Sequence, residues 1–154
     1  MKKLFAFMIA LAVLASLFSA VCAEGAAPAL PEEGWVADSL NGDIWQDGRA
    51  TLEVILKDEF LKVQIIWGSS AWELTEWQYF CSYDAETQSL AAVRAVCDNV
   101  LYDDEANETR TNVFDQESEA VFSLNDEGKI VVLNAGDDAL EGKTFERVII
   151  DINE

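Results

Sequence analysis

The 154-residue chain carries 29 Asp and Glu against 10 Lys and Arg, a formal net charge of −19, and it contains no histidine. Such a charge repels phosphate backbones and anionic membrane surfaces, so neither nucleic acid nor an anionic bilayer is expected as a partner of the folded part. Without imidazole there is no Ser-His or Cys-His nucleophile pair and no ordinary histidine zinc site.

The first element is an export signal. MKKLFAFMIALAVLASLFSAVCA opens on Lys2 and Lys3, runs uncharged from Leu4 to Ala23 and closes on Val21-Cys22-Ala23, which suits a signal peptidase. Its apolar run is also long enough for an uncleaved membrane anchor. Cys22 opens a third route, acylation as the first residue of a lipoprotein. The expected address is extracytoplasmic: secreted, or held at the cell surface, with lipid anchoring at Cys22 as the alternative. Cleavage after Ala23 removes two lysines and no acid, taking the formal charge from −19 to −21.

EGAAPALPEE, residues 24–33, holds both prolines and no periodicity, and reads as a flexible leader. One domain of residues 34–154 is expected after it. From here the hydrophobic pattern has period two. Leu52, Val54 and Leu56 share one face of ATLEVIL; Leu61, Val63, Ile65 and Trp67 share one face of FLKVQIIW, with Lys62 and Gln64 on the other. The KDEF step between them, residues 57–60, is a hairpin turn.

IIWGSSAWELTEWQYFCSYD places Trp67 at the end of one inward row and Trp77, Tyr79, Cys81 and Tyr83 along the next. Trp72 has the wrong parity for either row. It either caps the end of the fold or is presented to a ligand, and with Trp45 it is the candidate ligand-binding pair, since indoles serve both cores and recognition. LAAVRAVCDNVLY, TRTNVF, AVFSL, KIVVL and TFERVII follow, separated by DDEANE, DQESE, NDEG and NAGDDALEGK. About eight short strands result. The expected fold is all-β, a small antiparallel up-and-down β-barrel without open edges, with a β-sandwich as the alternative.

Once Cys22 is cut off or acylated, Cys81 and Cys97 remain, and an oxidising compartment favours a disulfide between them, worth ~3 kcal/mol in the chain-entropy model. Their spacing is not that of a C-x-x-C redox pair. No Walker loop, GxGxxG or HExxH occurs, and Gly68-Ser69-Ser70-Ala71 lacks the nucleophile-elbow pattern. NGDIWQDG (41–48), DDEANE (103–108) and GDD with Glu141 are the best cation candidates, but Trp45 and Val54 occupy positions where an EF-hand loop needs ligands. No metal or cofactor is expected. Asn107-Glu108-Thr109 matches the N-glycosylation triplet, which carries little weight in a bacterial export context.

Gly34-Trp35 followed by DGRATLEVIL, VQIIW, WQYFCSYD and a run of hairpins resembles small eight-stranded calycin or avidin-like barrels, and exported proteins of gut Firmicutes. A first strand is expected at Gly34-Trp35, and the resemblance implies a binding or interaction module, not an enzyme. Three functional expectations stand. The first is a module that holds a small ligand, glycan or peptide at the barrel mouth. The second is an acidic inhibitor or envelope partner of a cationic protein. The third is a small hydrolase built on a carboxylate pair.

Overall fold

The structure, a computed structural model, describes residues 30–57 and 60–149. The export signal, most of the leader and the Cys22 lipidation site lie outside the described residues. Among the described residues one short helix, α1 (Trp35–Leu40), precedes nine antiparallel strands: β1 (Trp45–Asp47), β2 (Ala50–Lys57), β3 (Phe60–Gly68), β4 (Glu73–Asp84), β5 (Ser89–Tyr102), β6 (Glu108–Glu117), β7 (Val121–Leu124), β8 (Ile130–Leu133) and β9 (Thr144–Arg147).

The strands pair in the order β4-β3-β2-β1-β9-β8-β7-β5, and β5 returns to β4 to close an eight-stranded up-and-down barrel. Closure removes the open edges that a sandwich would keep. The ninth strand, β6, is the outer part of a long bent strand that continues into β7. Both pair with β5, at Arg94–Tyr102 and at Leu90–Ala91, but only β7 goes on to pair with β8.

Two bulges, one on β5 and one on β6, produce that divergence. Val93 is the unmatched residue against β4, where Phe80 faces Arg94 and Cys81 faces Ala92, and Val113 is the unmatched residue of β6. Each extra residue bends its strand and increases the local twist. The β5–β6 arm therefore swings off the barrel wall, and almost all of β6 is exposed.

Alternation fills the interior. Trp45, Leu52, Ile65, Trp77 and Cys97 lie at one level, each opposite the next across β1 to β5. All are buried, and Tyr79, Phe122, Leu140 and Phe145 are among the side chains wholly removed from solvent. Tyr79 meets Phe122 edge to face with ring centroids 5.1 Å apart. Such a packed barrel of eight strands has an interior just wide enough for its own side chains.

Where a first strand was expected, Gly34-Trp35 opens α1. Gly34 has φ 92°, a left-handed turn that suits glycine, and Trp35, Val36 and Ser39 then point inward from one face. Trp35 donates its indole N–H to the carbonyl of Gln88 at 2.7 Å, which fixes the helix beneath the β4–β5 turn. The helix closes that end of the barrel.

The expected Cys81–Cys97 disulfide is not formed. Both residues are buried thiols. Cys97 lies opposite Trp77, so it is offset from Cys81 by four residues along β4, or ~13 Å at the rise of a strand. A disulfide needs Cα atoms within ~7 Å. Burial raises both thiols, Cys81 to about 12 and Cys97 to about 11. Without reductant, both are expected to alkylate in denaturant and to react at least ~100-fold more slowly in the native protein; denatured, unreduced protein that refuses alkylation would restore the bridge. The raised values also fix a pH limb. An unfolded thiol ionises first as pH climbs past 9, so the contribution is whole below that pH and is lost toward 11 to 12.

Candidate functional site

The two ends of the barrel differ. At the end opposite α1 lie the β1–β2 turn, the β3–β4 loop with Trp72, the β5–β6 turn and the long β8–β9 loop, residues 134–143. The last of these seals the mouth. Tyr79 donates its hydroxyl to the carbonyl of Ala135 at 3.0 Å, and Trp77 donates its indole N–H to the Asp137 carboxylate at 2.9 Å. Ala135 and Leu140 are buried under the loop. Gly136 passes so close to β6 that a Cβ there would stand 3.3 Å from the Gln116 amide nitrogen, and its φ of 73° again calls for glycine.

Trp72 stays outside this seal. Its side chain is 53% exposed although its backbone is held: its N–H donates to Ser70 Oγ at 3.1 Å, and its carbonyl accepts from Tyr102 N at 2.8 Å. The rest of the aromatic run divides by face. Trp67 and Trp77 do face the core, as their parity requires, and Trp67 also lies under the Lys143 ammonium, 5.1 Å from its ring centroid.

Trp45 does not join Trp72. It is buried in β1, edge to face with Trp35 at 6.3 Å, and donates to Ser39 Oγ at 2.8 Å. Its ring is buried and its one polar atom is used inside the fold.

Around Trp72 the mouth end is acidic. Glu73, Asp103, Asp104, Glu105, Glu108 and Asp138 are exposed there; of the cations at this end, Lys143 is turned onto Asp47 at 3.1 Å and the exposed Arg49 donates to the Ser69 carbonyl at 3.3 Å. Several neighbouring acids serve the backbone. Asp103 accepts from the N–H groups of Glu105 and Asn107 and from the Asn107 amide; the Asn107 side chain, then its backbone, draws the Asp103 carboxyl below its ordinary range. Glu141 accepts from the N–H groups of Asn134 and Ala135, and Asp137 from that of Ala139. The acidic stretches considered for a cation thus use many of their oxygens to fold their own turns. No group of three potential metal ligands occurs among the described residues.

A second polar constellation, invisible in the one-dimensional pattern, runs across the outer wall. Lys62 donates to Gln78 at 3.2 Å, Gln78 donates to Glu76 at 2.8 Å, and Arg110 pairs with the other Glu76 oxygen at 2.5 Å while also engaging Glu108 and, at 3.6 Å, Asp98. Lys62 and Glu76 are both buried despite facing outward. Burial lowers the Lys62 ammonium from its ordinary value, with Glu76 opposing that shift. Both oxygens of the most buried carboxylate are therefore committed, which leaves Glu76 poorly placed for acid or base work on a substrate.

No family model matches this chain, and neither a curated protein nor a solved structure matches it. No helix among the described residues is long and apolar enough to cross a membrane.

Proposed function

We propose that this is an exported, non-catalytic interaction module that meets a cationic protein through the mouth end of its barrel, with Trp72 as the anchor. The observation that carries the reading is the exposed indole of Trp72, held by its backbone among exposed carboxylates at a mouth that loop 134–143 has closed. A packed interior leaves a partner the rim and its loops to bind. Exposed aromatics at the centre of charged surfaces are frequent hot spots, and complementary charge accelerates encounter. A small ligand or glycan at the mouth is the second reading, favoured by the same indole.

The test places a photo-crosslinking benzoylphenylalanine at position 72 of the exported protein in its producing culture, with position 127 at the opposite end as control. Protein adducts at 72, absent at 127 and lost in about 0.5 M NaCl, where screening acts within a few Å, are expected. Trp72→Ala should abolish capture of the same partner while shifting stability by less than about 0.5 kcal/mol, as an exposed truncation does. Equal labelling at 127, salt-insensitive adducts, or a melting temperature that falls by several degrees in Trp72→Ala without loss of capture would overturn the reading.

A further inference from the structure

Eight Lys and Arg occur among the described residues, and three of them, Lys57, Lys62 and Arg94, gather on one part of the outer wall. In a chain this acidic, such a concentration requires an explanation. The sheet register supplies the geometry. Lys57 lies directly opposite Phe60 across β2 and β3, and Lys62 directly opposite Phe80 across β3 and β4, all four on the outward face. Together with Gln78 they line a cleft of about 330 Å³, near the lower end of the range for small-molecule sites, ~300–1,000 Å³.

The cleft has a floor, a wall and a base. Phe60 is 57% exposed and lines the cleft as an apolar wall. Phe80 is half-buried and backed by the Arg94 guanidinium, 5.3 Å from its ring centroid. Arg94 is itself neutralised by a bidentate pair with Asp115 at 2.6 and 2.8 Å, so it stiffens the ring without competing for a ligand. Lys62 is only 6% exposed and lines the cleft. Its ammonium has three donors and gives one to Gln78; no carboxylate among the described residues is within ion-pair distance of it or of Lys57. The nearest candidate, Glu76, is turned to Arg110 and to the Gln78 amide.

A buried cation with donors to spare is costly unless an anion completes it. Gln78 holds Lys62 in place while its own amide is fixed by Glu76, so the ammonium is oriented before any ligand arrives. We infer that this cleft is a binding site for a small anion with an apolar body, a carboxylate whose charged head meets Lys62 and Lys57 and whose hydrocarbon part lies between Phe60 and Phe80. The volume suits an aromatic acid or a short fatty acid, which share that chemistry. The site is separate from the mouth end and does not depend on the role given to Trp72.

Titration of ¹⁵N-labelled protein with benzoate, octanoate and benzyl alcohol, followed by NMR, tests the assignment. Either acid is expected to shift the amides around Lys57, Phe60, Lys62 and Phe80 saturably, with benzyl alcohol at least about tenfold weaker, a difference of ~1.4 kcal/mol. Preference between the two acids tells a flat body from an extended one. Lys62→Gln should weaken the acids about tenfold or more, and Phe60→Ala, a change at an exposed position that spares the fold, should weaken them severalfold. No shifts with either acid in the wild-type protein, shifts scattered over the surface, or equal affinity for acid in a folded Lys62→Gln would each sink the proposal.

Discussion

Replacing Tyr79 by alanine is expected to remove about 3–5 kcal/mol of stability, the cost of emptying an aromatic site in a closed core. Domains of this size are stable by only ~5–15 kcal/mol, so the variant should unfold at a markedly lower urea concentration or temperature. Two contributions can be separated. Tyr79→Phe keeps the ring and its edge-to-face contact with Phe122 but deletes the hydroxyl that reaches the Ala135 carbonyl. An unsatisfied buried carbonyl costs ~1–3 kcal/mol, and the loss should fall on loop 134–143, seen as faster amide exchange at Ala135 to Leu140 with the strands unaffected. Uniform loosening of the whole barrel in Tyr79→Phe would show that the loop is not sealed through this bond.

The second large effect is at Arg110. It is 42% exposed at the side chain, whereas Glu76 is 7% exposed. Arg110→Ala strands a buried carboxylate, for which a fully buried pair would cost ~3–5 kcal/mol; partial exposure of the arginine lowers the expectation to about 2–3 kcal/mol. Adding Glu76→Gln to Arg110→Ala removes the stranded charge and should recover at least half of that loss in urea denaturation. A single variant that unfolds at the wild-type midpoint would show that water already serves Glu76.

Much of this architecture is readable from alternation. FLKVQIIW and WQYFCSYD carry period two strongly enough to set which side chains face the core, and the turns between strands are marked by Asp, Asn and Gly. What the pattern does not carry is geometry that depends on pairing. WVADSL places Trp35, Val36 and Ser39 on one helical face, but six residues are too few for a 3.6 period to stand out from a strand start. Parity puts Lys62 outside, correctly, yet cannot show that Phe60, Phe80 and Gln78 enclose it there. The thiols of Cys81 and Cys97 share the inner face of neighbouring strands, so composition suggested a bond that the register, four residues out of step, forbids. Residue type alone sets Trp45 beside Trp72, since indoles serve both cores and recognition. Its burial follows from β1 closing the barrel between β2 and β9, a long-range pairing no local window contains.

Both ends of the described chain leave the fold on the same side. Leu30 lies beside the α1 region and the lower half of β2, and Val148 donates to the Ile44 carbonyl just after β9 has run back toward α1. Trp72 and the acidic turns stand on the other side. Immobilisation through either terminus, on a sensor chip, a bead or a cell envelope, would hold the molecule by its base and offer the tryptophan end to solution. Display by fusion at either end should therefore be interchangeable, whereas an insertion into the β5–β6 turn would set its cargo directly beside the surface meant to be free.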